Sequence, residues 1–456
     1  MDGTNTAEIR MRWLGLVLEA LKELDIPVRQ TNYYFEGEDI YWSGRDQDVT
    51  LGILPPADVD TPPRALVQTS SYLAKKGLGA SCVDLNIKTY KAAEPKYHDY
   101  WNAGRRDEWA DAEQCRKRME TLGIDAAAWA DRFLERKAPN IAFYVRRSNM
   151  LVTRTVMELI RAKDPARRLI VYGPSAAIEA ERDLFPDAVC DYVVTGEAET
   201  SLTDLLWALR GNADINTVRG VRWTGKDGHK RDIPREPLMD LSGFPAPDYR
   251  ELKPQDYGDV LEIRASRGCK YRCAFCAEQP VEGPARYRPA REVFEEMAEA
   301  YRVHNTRAFR FTDLIANGNP KQLEELADLL IAARLPVRFE MTFAPTDDMT
   351  AELYRKLKAA GCKAIHFGVE SLSDRVLEAM NKTYNARVAQ RNLADAHDAG
   401  VETHVNLIVG FPGEKQEDIY LTMRRLKQSE RHIDFVDTIS QCQVLPKTKL
   451  ERQPGR

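Results

Sequence analysis

The sequence predicts an α/β protein with two domains, in which a doubly wound, Rossmann-like N-terminal domain precedes a partial (β/α)6 barrel. Short apolar runs alternate with helical segments along most of the chain, and an irregular stretch at residues 211–258 divides them into two series. Strands that alternate with helices are typical of a parallel sheet covered by helices on both faces. The 456 residues also exceed the ~100–200 expected for one domain.

The first series extends over residues 50–210. Its strand-like runs are VTLGIL, ASCVDL, NIAFYV, RLIVYG and DYVVTG, and a polar, helix-rich insert at about residues 88–137 follows the second run. Residues 1–49 begin with the pattern IRMRWLGLVLEALKEL, which predicts an N-terminal helical extension. Ligands of doubly wound sheets bind at the carboxyl ends of the strands.

The second series occupies residues 259–456, after a linker at 211–258 whose GKDGHK turn predicts a small hairpin. Its predicted strands are VLEIRAS, AFRFTD, VRFEMTF, KAIHFGVE, VETHVNLIVGF and FVDTISQCQVL. Six strand–helix units make an open, partial barrel, and we expect the active site at the carboxyl ends of its strands.

Charge and hydropathy exclude several classes of partner. The net charge of −4 gives no basic footprint for nucleic acid or for an anionic membrane surface. No apolar run reaches the ~18 residues of a membrane span, and the first residues, MDGTNTAEIRMRW, are too charged for a signal peptide. We therefore expect a cytoplasmic protein that binds neither nucleic acid nor membranes.

Three of the eight cysteines form a cluster in the sequence SRGCKYRCAFC, directly after the first barrel strand. A disulfide framework is not expected in a cytosolic chain of this length. Structural zinc takes four ligands, commonly as two Cys-x2-Cys pairs, and no second pair is present. Three thiolates on one short loop favour a [4Fe–4S] cluster whose fourth iron stays open.

Residues 264 to about 450 resemble the radical S-adenosylmethionine (SAM) superfamily. The resemblance lies in the cysteine cluster and in the runs FTDLIANG, GCKAIHFGVES and LIVGFPGE, in this order. It implies that Cys269, Cys273 and Cys276 hold the cluster, at which SAM is cleaved reductively to a 5′-deoxyadenosyl radical that abstracts hydrogen from a substrate. The residues that it places near SAM are Phe275, Asp313, Asn317, Gly368, Glu370, Ser371 and Gly410.

The first domain resembles the cobalamin-binding domain that precedes many radical SAM domains, in PPRALVQTSSYLAKKGLGASCVDLNI and DYVVTGEAETSL among other runs. The family's histidine-bearing loop is replaced by PPADVDTPP, Arg146 and Arg147 stand where small residues are usual, and Gly173-Pro174 replaces a glycine pair. Relatives often bind cobalamin without that histidine, which leaves cobalamin open as a cofactor. The departures together favour a scaffold without a corrin.

Alternate residues of a barrel strand face the lumen. The apolar set must face the helices, so the lumen receives the polar set, namely Arg310, Glu340, Thr342, His366, Glu402, His404, Asn406 and Gln441. This set fits a small hydroxylated or amino-bearing substrate, and it also fits a polar network that merely closes the barrel. His366, His404 and Glu340 are the acid–base candidates, because each could reach a substrate hydroxyl.

Two outcomes of hydrogen abstraction follow from the resemblance. One is dehydration of an aminosugar-like 1,2-diol, as in the radical SAM dehydratases of aminoglycoside antibiotic biosynthesis (the apramycin type). The other is cobalamin-dependent C-methylation. The altered cobalamin loop and the polar lumen favour the dehydratase, a lyase. A non-catalytic electron carrier is disfavoured by the full run of SAM-associated motifs. A single cysteine cluster implies an external electron donor, either a flavodoxin or an NAD(P)H-dependent reductase.

Overall fold

The computed structural model describes residues 47–178, 183–225, 227–445 and 447–452. The predicted N-terminal helical extension therefore lies almost wholly outside the described residues. The chain divides into two compact units. The first consists of Met1–Ala57, Ala65–Arg235 and Pro247–Lys253, and the second of Asp58–Arg64, Glu236–Ala246 and Pro254–Arg456.

The first unit contains a seven-stranded sheet of order β2-β1-β3-β4-β5-β6-β7, in which the first five strands are parallel. The strands are β1 (Gln47–Ile53), β2 (Gly79–Asp84), β3 (Asn140–Tyr144), β4 (Arg168–Tyr172), β5 (Tyr192–Val194), β6 (Val221–Thr224) and β7 (Lys230–Ile233). The described helices are α1 (Arg64–Lys75), α2 (Leu85–Ala92), α3 (Ala112–Thr121), α4 (Ala126–Leu134), α5 (Met150–Lys163) and α6 (Ala198–Leu209).

Strands β1 and β3 are buried almost throughout, as expected for central parallel strands that helices cover on both faces. The predicted insert contributes α3 and α4, and Phe133 of α4 packs edge-on against Phe143 of β3, with 4.8 Å between the ring centroids. Gly52 makes this possible, because a Cβ there would lie 2.6 Å from the Phe133 ring. The predicted hairpin consists of β6 and β7, which pair antiparallel with each other, and β6 also pairs antiparallel with β5 and so covers its edge.

The second unit contains a six-stranded parallel sheet of order β8-β11-β12-β13-β14-β15 and a two-stranded ladder of β9 and β10. The strands are β8 (Val260–Ile263), β9 (Ser266–Arg267), β10 (Arg286–Tyr287), β11 (Ala308–Phe311), β12 (Arg338–Phe343), β13 (Cys362–Glu370), β14 (Glu402–Val409) and β15 (Phe435–Gln441). The described helices are α7 (Glu278–Glu282), α8 (Ala290–His304), α9 (Pro320–Ala333), α10 (Ala351–Ala359), α11 (Asp374–Ala379), α12 (Ala386–Asp398) and α13 (Gln416–Gln428). The two α/β units confirm the predicted fold class.

Strand β12 shows why one face of this sheet is polar. Phe339, Met341 and Phe343 are buried, whereas Glu340 and Thr342 between them are partly exposed. Strands β13 and β14 alternate in the same way over most of their length. The helices therefore cover the apolar side chains, and the polar set predicted for the lumen lies on the opposite face.

Glu251 of the first unit provides a prediction about stability. Its carboxylate accepts a hydrogen bond from the backbone N–H of Cys82, and burial raises the pKa of Glu251 from 4.5 to about 7. Below its unfolded pKa this carboxyl is neutral in both states and does not change the free energy of unfolding. As the pH rises from about 4.5 to about 7, the unfolded state loses the proton more readily than the folded state, so the stability of the folded state falls. We expect Glu251→Gln to stabilise the unit by about 2 kcal/mol at pH 8, after allowance for partial exposure, and much less at pH 4.5.

The measurement is the difference in melting temperature between Glu251→Gln and wild type at the two pH values. The exposed Glu158, which pairs with Arg154 at 2.8 Å, serves as the control in the variant Glu158→Gln. An equal effect of Glu251→Gln at both pH values contradicts the prediction.

Candidate functional site

The three clustered cysteines lie on the loop between β9 and α7. Gly268 begins this loop with a φ of 72°, and a Cβ there would lie 2.1 Å from the carbonyl oxygen of Pro284. The left-handed backbone and the close approach both require glycine. The N–H of Tyr271 points at the sulfur of Cys269, at 3.4 Å, so the loop already places a backbone donor on one of the thiols.

Backbone hydrogen bonds hold the cysteine loop from three sides. The N–H of Cys269 donates to the carbonyl of Gly283 at 3.2 Å, and the N–H of Ala274 donates to the carbonyl of Met380 at 2.9 Å. The carbonyl of Ala274 accepts from Leu450 at 3.2 Å. The position of the thiols is therefore set by the strand ladder, by the segment after α11 and by the segment after β15.

The donor set fits an iron–sulfur cluster better than a single ion. All three cysteines are free and partly exposed. Among the described residues, only one group of three potential ligands has its donor atoms within 4.8 Å of one another, and the cysteines do not form it. One zinc ion, with Zn–S distances of ~2.3 Å, would hold its sulfur ligands closer to one another than this limit. Burial raises the pKa of the Cys269 and Cys273 thiols, while Lys382 nearby favours their thiolates.

Lys382 brings a buried positive charge to the cysteine loop. Its Nζ lies 3.2 Å from Oε1 of Glu370 and 5.3 Å from the ring centroid of Phe275. Burial disfavours the charge, but Tyr384, Glu370 and Cys273 raise the pKa of Lys382 above its ordinary value. The ammonium therefore stays charged beside the thiols.

We expect Lys382→Met to make the reduction potential of the reconstituted cluster more negative, by on the order of 50–100 mV. A unit charge ~8 Å away at an effective dielectric constant of ~20 contributes ~2 kcal/mol to the added electron, equivalent to about 90 mV. Lys270→Met is the matched control, because Lys270 lies in the cysteine loop itself but its side chain is solvent-accessible and 3.8 Å from Asp348. Potentiometric titration of both variants measures the effect, and equal shifts would contradict the role given to burial.

Three residues predicted to lie near SAM are engaged with the protein itself. Asn317 bonds both the carbonyl and the N–H of Ala344, at 2.7 and 3.1 Å. Ser371 bonds the hydroxyl of Thr422 at 3.1 Å, and Asp313 accepts hydrogen bonds from Ser266. All three are buried. Their observed contacts hold the loops at the carboxyl ends of the strands, and their contacts with SAM stay a prediction.

Glu370, Gly368 and Gly410 also lie at these strand ends. Glu370 adopts a left-handed φ of 61° at an irregularity in the β13–β14 pairing, and the carbonyl of Gly368 accepts a hydrogen bond from Tyr384 at 2.7 Å. Gly410 has a φ of 75°, and its N–H donates to Glu414 at 2.5 Å. Gly410 is exposed, and Phe275, Gly368 and Glu370 are partly exposed, so these four remain the accessible members of the predicted SAM set.

The predicted acid–base residues meet on the polar face of the sheet. Arg310 of β11 donates to Glu340 of β12 at 2.8 Å, and Glu340 lies 3.7 Å from Nε2 of His366. Nδ1 of His366 and Nδ1 of His404 contact the two carboxylate oxygens of Asp437, at 2.5 and 2.7 Å. We call these five residues, which come one each from five adjacent strands, the lumen array.

Mutual contacts set the charges of the lumen array. His366, with Arg310 in support, lowers the pKa of Glu340 to about 2. Glu340 first, and then Asp437, raise the pKa of His366. Burial opposes ionisation of Asp437, but His366 and His404 hold its pKa below the ordinary value. The array therefore combines two carboxylates with one guanidinium and two imidazoles, and it can bind and orient polar groups of a ligand.

Sequence reasoning missed Asp437 and Lys382. Asp437 stands two residues after Phe435, the register partner of His404, but the β14–β15 pairing skips Asp437, so the sequence alone does not reveal its place. Lys382 lies in the irregular segment between α11 and α12, where no periodicity indicates the direction of a side chain.

Comparison with known proteins agrees with this geometry. Residues 263–426 match the Radical SAM superfamily family model. An uncharacterized methyltransferase of Pyrococcus horikoshii is 23% identical over 276 residues, which cover 59% of each chain. The anaerobic magnesium-protoporphyrin IX monomethyl ester cyclase of Rubrivivax gelatinosus is 26% identical over 51% of this chain and 44% of its own. The chain thus spans about half the length of these relatives.

Two solved structures share the fold over most of the chain. The radical S-adenosylmethionine methyltransferase TsrM from Kitasatospora setae has a TM-score of 0.67 at 18% identity, covering 87% of this chain and 73% of its own. The cobalamin-dependent S-adenosylmethionine radical enzyme OxsB has a TM-score of 0.69 at 15% identity, covering 89% and 60%. Residues 263–426, which include the cysteine loop, therefore match a radical SAM domain, and the two solved structures show that the fold of the chain is that of TsrM and OxsB.

The described helices of the protein differ from membrane-spanning helices. None of those in the described part of the chain combines the length and the apolar character that crossing a bilayer requires.

Proposed function

We propose that this radical SAM enzyme is a cobalamin-dependent methyltransferase that acts on a small polar substrate. The observation that carries the proposal is the likeness of the fold, over most of the chain, to TsrM and OxsB. TsrM is named a methyltransferase, and OxsB is named a cobalamin-dependent enzyme. A curated relative is also named a methyltransferase. These comparisons support methyl transfer better than the dehydration that the sequence favours, and no compared protein named above is a dehydratase.

The first unit offers polar atoms that a ligand could satisfy at the end of the sheet where such folds bind ligands. The hydroxyls of Tyr172, the last residue of β4, and Ser201, in the first turn of α6, are buried and have no hydrogen-bond partner among the described residues. An unpaired buried hydroxyl is costly, and a bound ligand would relieve that cost. The loop after β1 contains no histidine, so cobalamin would receive no imidazole from it.

The second unit supplies the remaining functions. Cys269, Cys273 and Cys276 would hold the cluster, which supplies reductive cleavage of SAM, and cobalamin would supply a carrier for the methyl group. Lys382 and Glu370 fix the charge beside the cysteine loop. The lumen array would bind polar groups of the substrate. An external electron donor, a flavodoxin or an NAD(P)H-dependent reductase, completes the proposal.

Dehydration of an aminosugar-like diol is the second candidate, because the lumen array offers what that reaction needs. His366 and His404 share Asp437 at 2.5 and 2.7 Å, so a proton acceptor and a proton donor lie side by side. In this alternative, His366, His404 or Glu340 would take one hydroxyl proton and protonate the departing hydroxyl.

Corrin retention tests the proposal. The protein is reconstituted anaerobically with iron, sulfide and excess hydroxocobalamin, desalted, and assayed for corrin and iron. About one corrin per chain, with transfer of label from methyl-labelled SAM to a small polar acceptor, supports the methyltransferase. Iron without corrin overturns it and makes aminosugar diols the next substrates. Tyr172→Phe should weaken retention, whereas the control Tyr192→Phe, at the partly exposed first residue of β5, should not.

A further inference from the structure

We propose that His366, His404 and Asp437 form a binding site for one divalent transition-metal ion of the zinc or ferrous-iron class, distinct from the cysteine loop. Among the described residues, this is the one group of three histidine, cysteine or carboxylate side chains whose donor atoms all lie within 4.8 Å of one another. The proposal goes beyond methyl transfer and does not depend on it.

Strand register brings the three donors together. His366 of β13 and His404 of β14 are register partners, and Asp437 of β15 lies two residues beyond the partner of His404. Residues two apart share a face of a sheet, so three adjacent parallel strands direct one donor each to the same place. Strand pairing fixes the two histidines opposite each other, and Asp437 is the residue that the β14–β15 pairing skips, between the partners of Val405 and Asn406.

The donor chemistry fits such an ion. Two imidazoles and one carboxylate are ligands that suit zinc and ferrous iron, and three protein ligands leave a coordination position open for a further ligand. The contacts of Nδ1 of His366 and of His404 with Asp437 measure 2.5 and 2.7 Å. With metal–ligand distances of ~2.0–2.2 Å, an ion would need each nitrogen–oxygen pair to separate by less than ~1 Å.

A second observation concerns the opposite nitrogen of each ring. Nε2 of His366 lies 3.7 Å from Glu340, which Arg310 orients at 2.8 Å, and Nε2 of His404 lies 3.8 Å from Glu402. Metal-bound histidines commonly direct the non-ligating nitrogen toward a carboxylate, which fixes the ring. Within the described part of the chain, Nε2 of His404 is buried and makes no hydrogen bond, so its approach to Glu402 is an electrostatic contact only, whereas Nδ1 bonds Asp437.

The site is separate from the iron–sulfur chemistry. The cysteine loop lies beyond the carboxyl end of β13, where Ala274 contacts Met380 and Lys382 lies between Phe275 and Glu370. His366 also precedes Glu370 by four residues, which corresponds to about 13 Å along a strand. An ion here would bind oxygen or nitrogen atoms of a polar ligand in the lumen.

The experiment is zinc binding by the reconstituted holoenzyme, whose cysteines are occupied by the cluster. Zinc is added, free metal is removed, and zinc and iron are both quantified. We expect about one retained zinc per chain with unchanged iron, a zinc-dependent rise in melting temperature, and an affinity reduced at least ~100-fold in His366→Gln and Asp437→Asn. Magnesium should not bind, since it prefers all-oxygen sites.

His397 provides the matched control. It lies 3.4 Å from Asp434 and 5.8 Å, between ring centroids, from His432, but this second His–Asp–His group does not bring its donors within 4.8 Å. His397→Gln should leave zinc retention unchanged. Absence of retained zinc, or retention that His366→Gln and Asp437→Asn do not reduce, overturns the proposal whatever the outcome of the corrin test. Asp437→Asn keeps the side chain's size, which separates loss of a ligand from loss of fold.

Discussion

Cys273→Ala should abolish cluster assembly and, with it, cleavage of SAM. Cys273 is one of three free thiols on the loop after β9, and two remaining thiolates cannot hold a cubane stably. We expect anaerobically reconstituted wild type to contain about four iron atoms per chain and the variant almost none. Formation of 5′-deoxyadenosine should fall at least ~1000-fold. Iron analysis and product chromatography measure the two effects.

Cys442→Ala is the matched control for this prediction. Cys442 is also a free, partly exposed cysteine, and it packs against the same hydrophobic cluster as Phe275. If the three clustered cysteines are the ligands, Cys442→Ala keeps its iron and its activity. Loss of iron in Cys442→Ala, or retention of full iron in Cys273→Ala, contradicts the assignment.

Gly268→Ala should disrupt the same loop through the backbone. The residue has a φ of 72°, and a Cβ would lie 2.1 Å from the carbonyl oxygen of Pro284 and 2.5 Å from that of Gly283. Neither oxygen can move without shifting the β9–β10 ladder. We expect a loss of about 3 kcal/mol or more in the stability of the loop region and less than half of the wild-type iron content.

Gly413→Ala separates backbone strain from steric overlap. Gly413 has a similar φ of 83°, but nothing lies within 4 Å of its Cβ position. It should therefore lose only about 1 kcal/mol and keep its full iron content. Melting temperature and iron content of the two variants are compared, and equal losses would show that φ alone explains the effect.

The sequence predicts the fold well because the fold depends on periodicity. Each predicted strand run in the two series overlaps an observed strand, from β1 to β5 and then β8 and β11 to β15. The polar face of β12 follows from alternation alone, since burying Phe339, Met341 and Phe343 leaves Glu340 on the other side. The cysteine loop is equally local, because three ligands within eight residues must follow one strand.

Features that depend on long-range contacts were not predictable in the same way. The pairing of the β6–β7 hairpin with β5 requires knowledge of a free sheet edge. Asp437 acquires its importance from the registers of three strands, and Lys382 from a turn that directs it toward Glu370. The bonds of Asn317 to Ala344 likewise join loops 27 residues apart. Such contacts leave no periodic pattern in the sequence.

The choice between methyl transfer and dehydration shows a further limit of sequence reasoning. The altered loop after β1 lacks one histidine that could bind cobalamin. Binding of a large cofactor, however, is distributed over the carboxyl ends of several strands. The comparisons cover both units together and support the methyltransferase better. The polar lumen fits either reaction, since both need a bound polar substrate.

The measurement that tests the central claim most directly is electron paramagnetic resonance of the reconstituted, dithionite-reduced protein with and without SAM. An open iron that binds SAM changes the environment of a [4Fe–4S] cluster held by Cys269, Cys273 and Cys276. We predict a reduced-cluster signal that shifts when SAM is added and that is absent in Cys273→Ala. A signal identical with and without SAM, or one that persists in Cys273→Ala, would contradict the account.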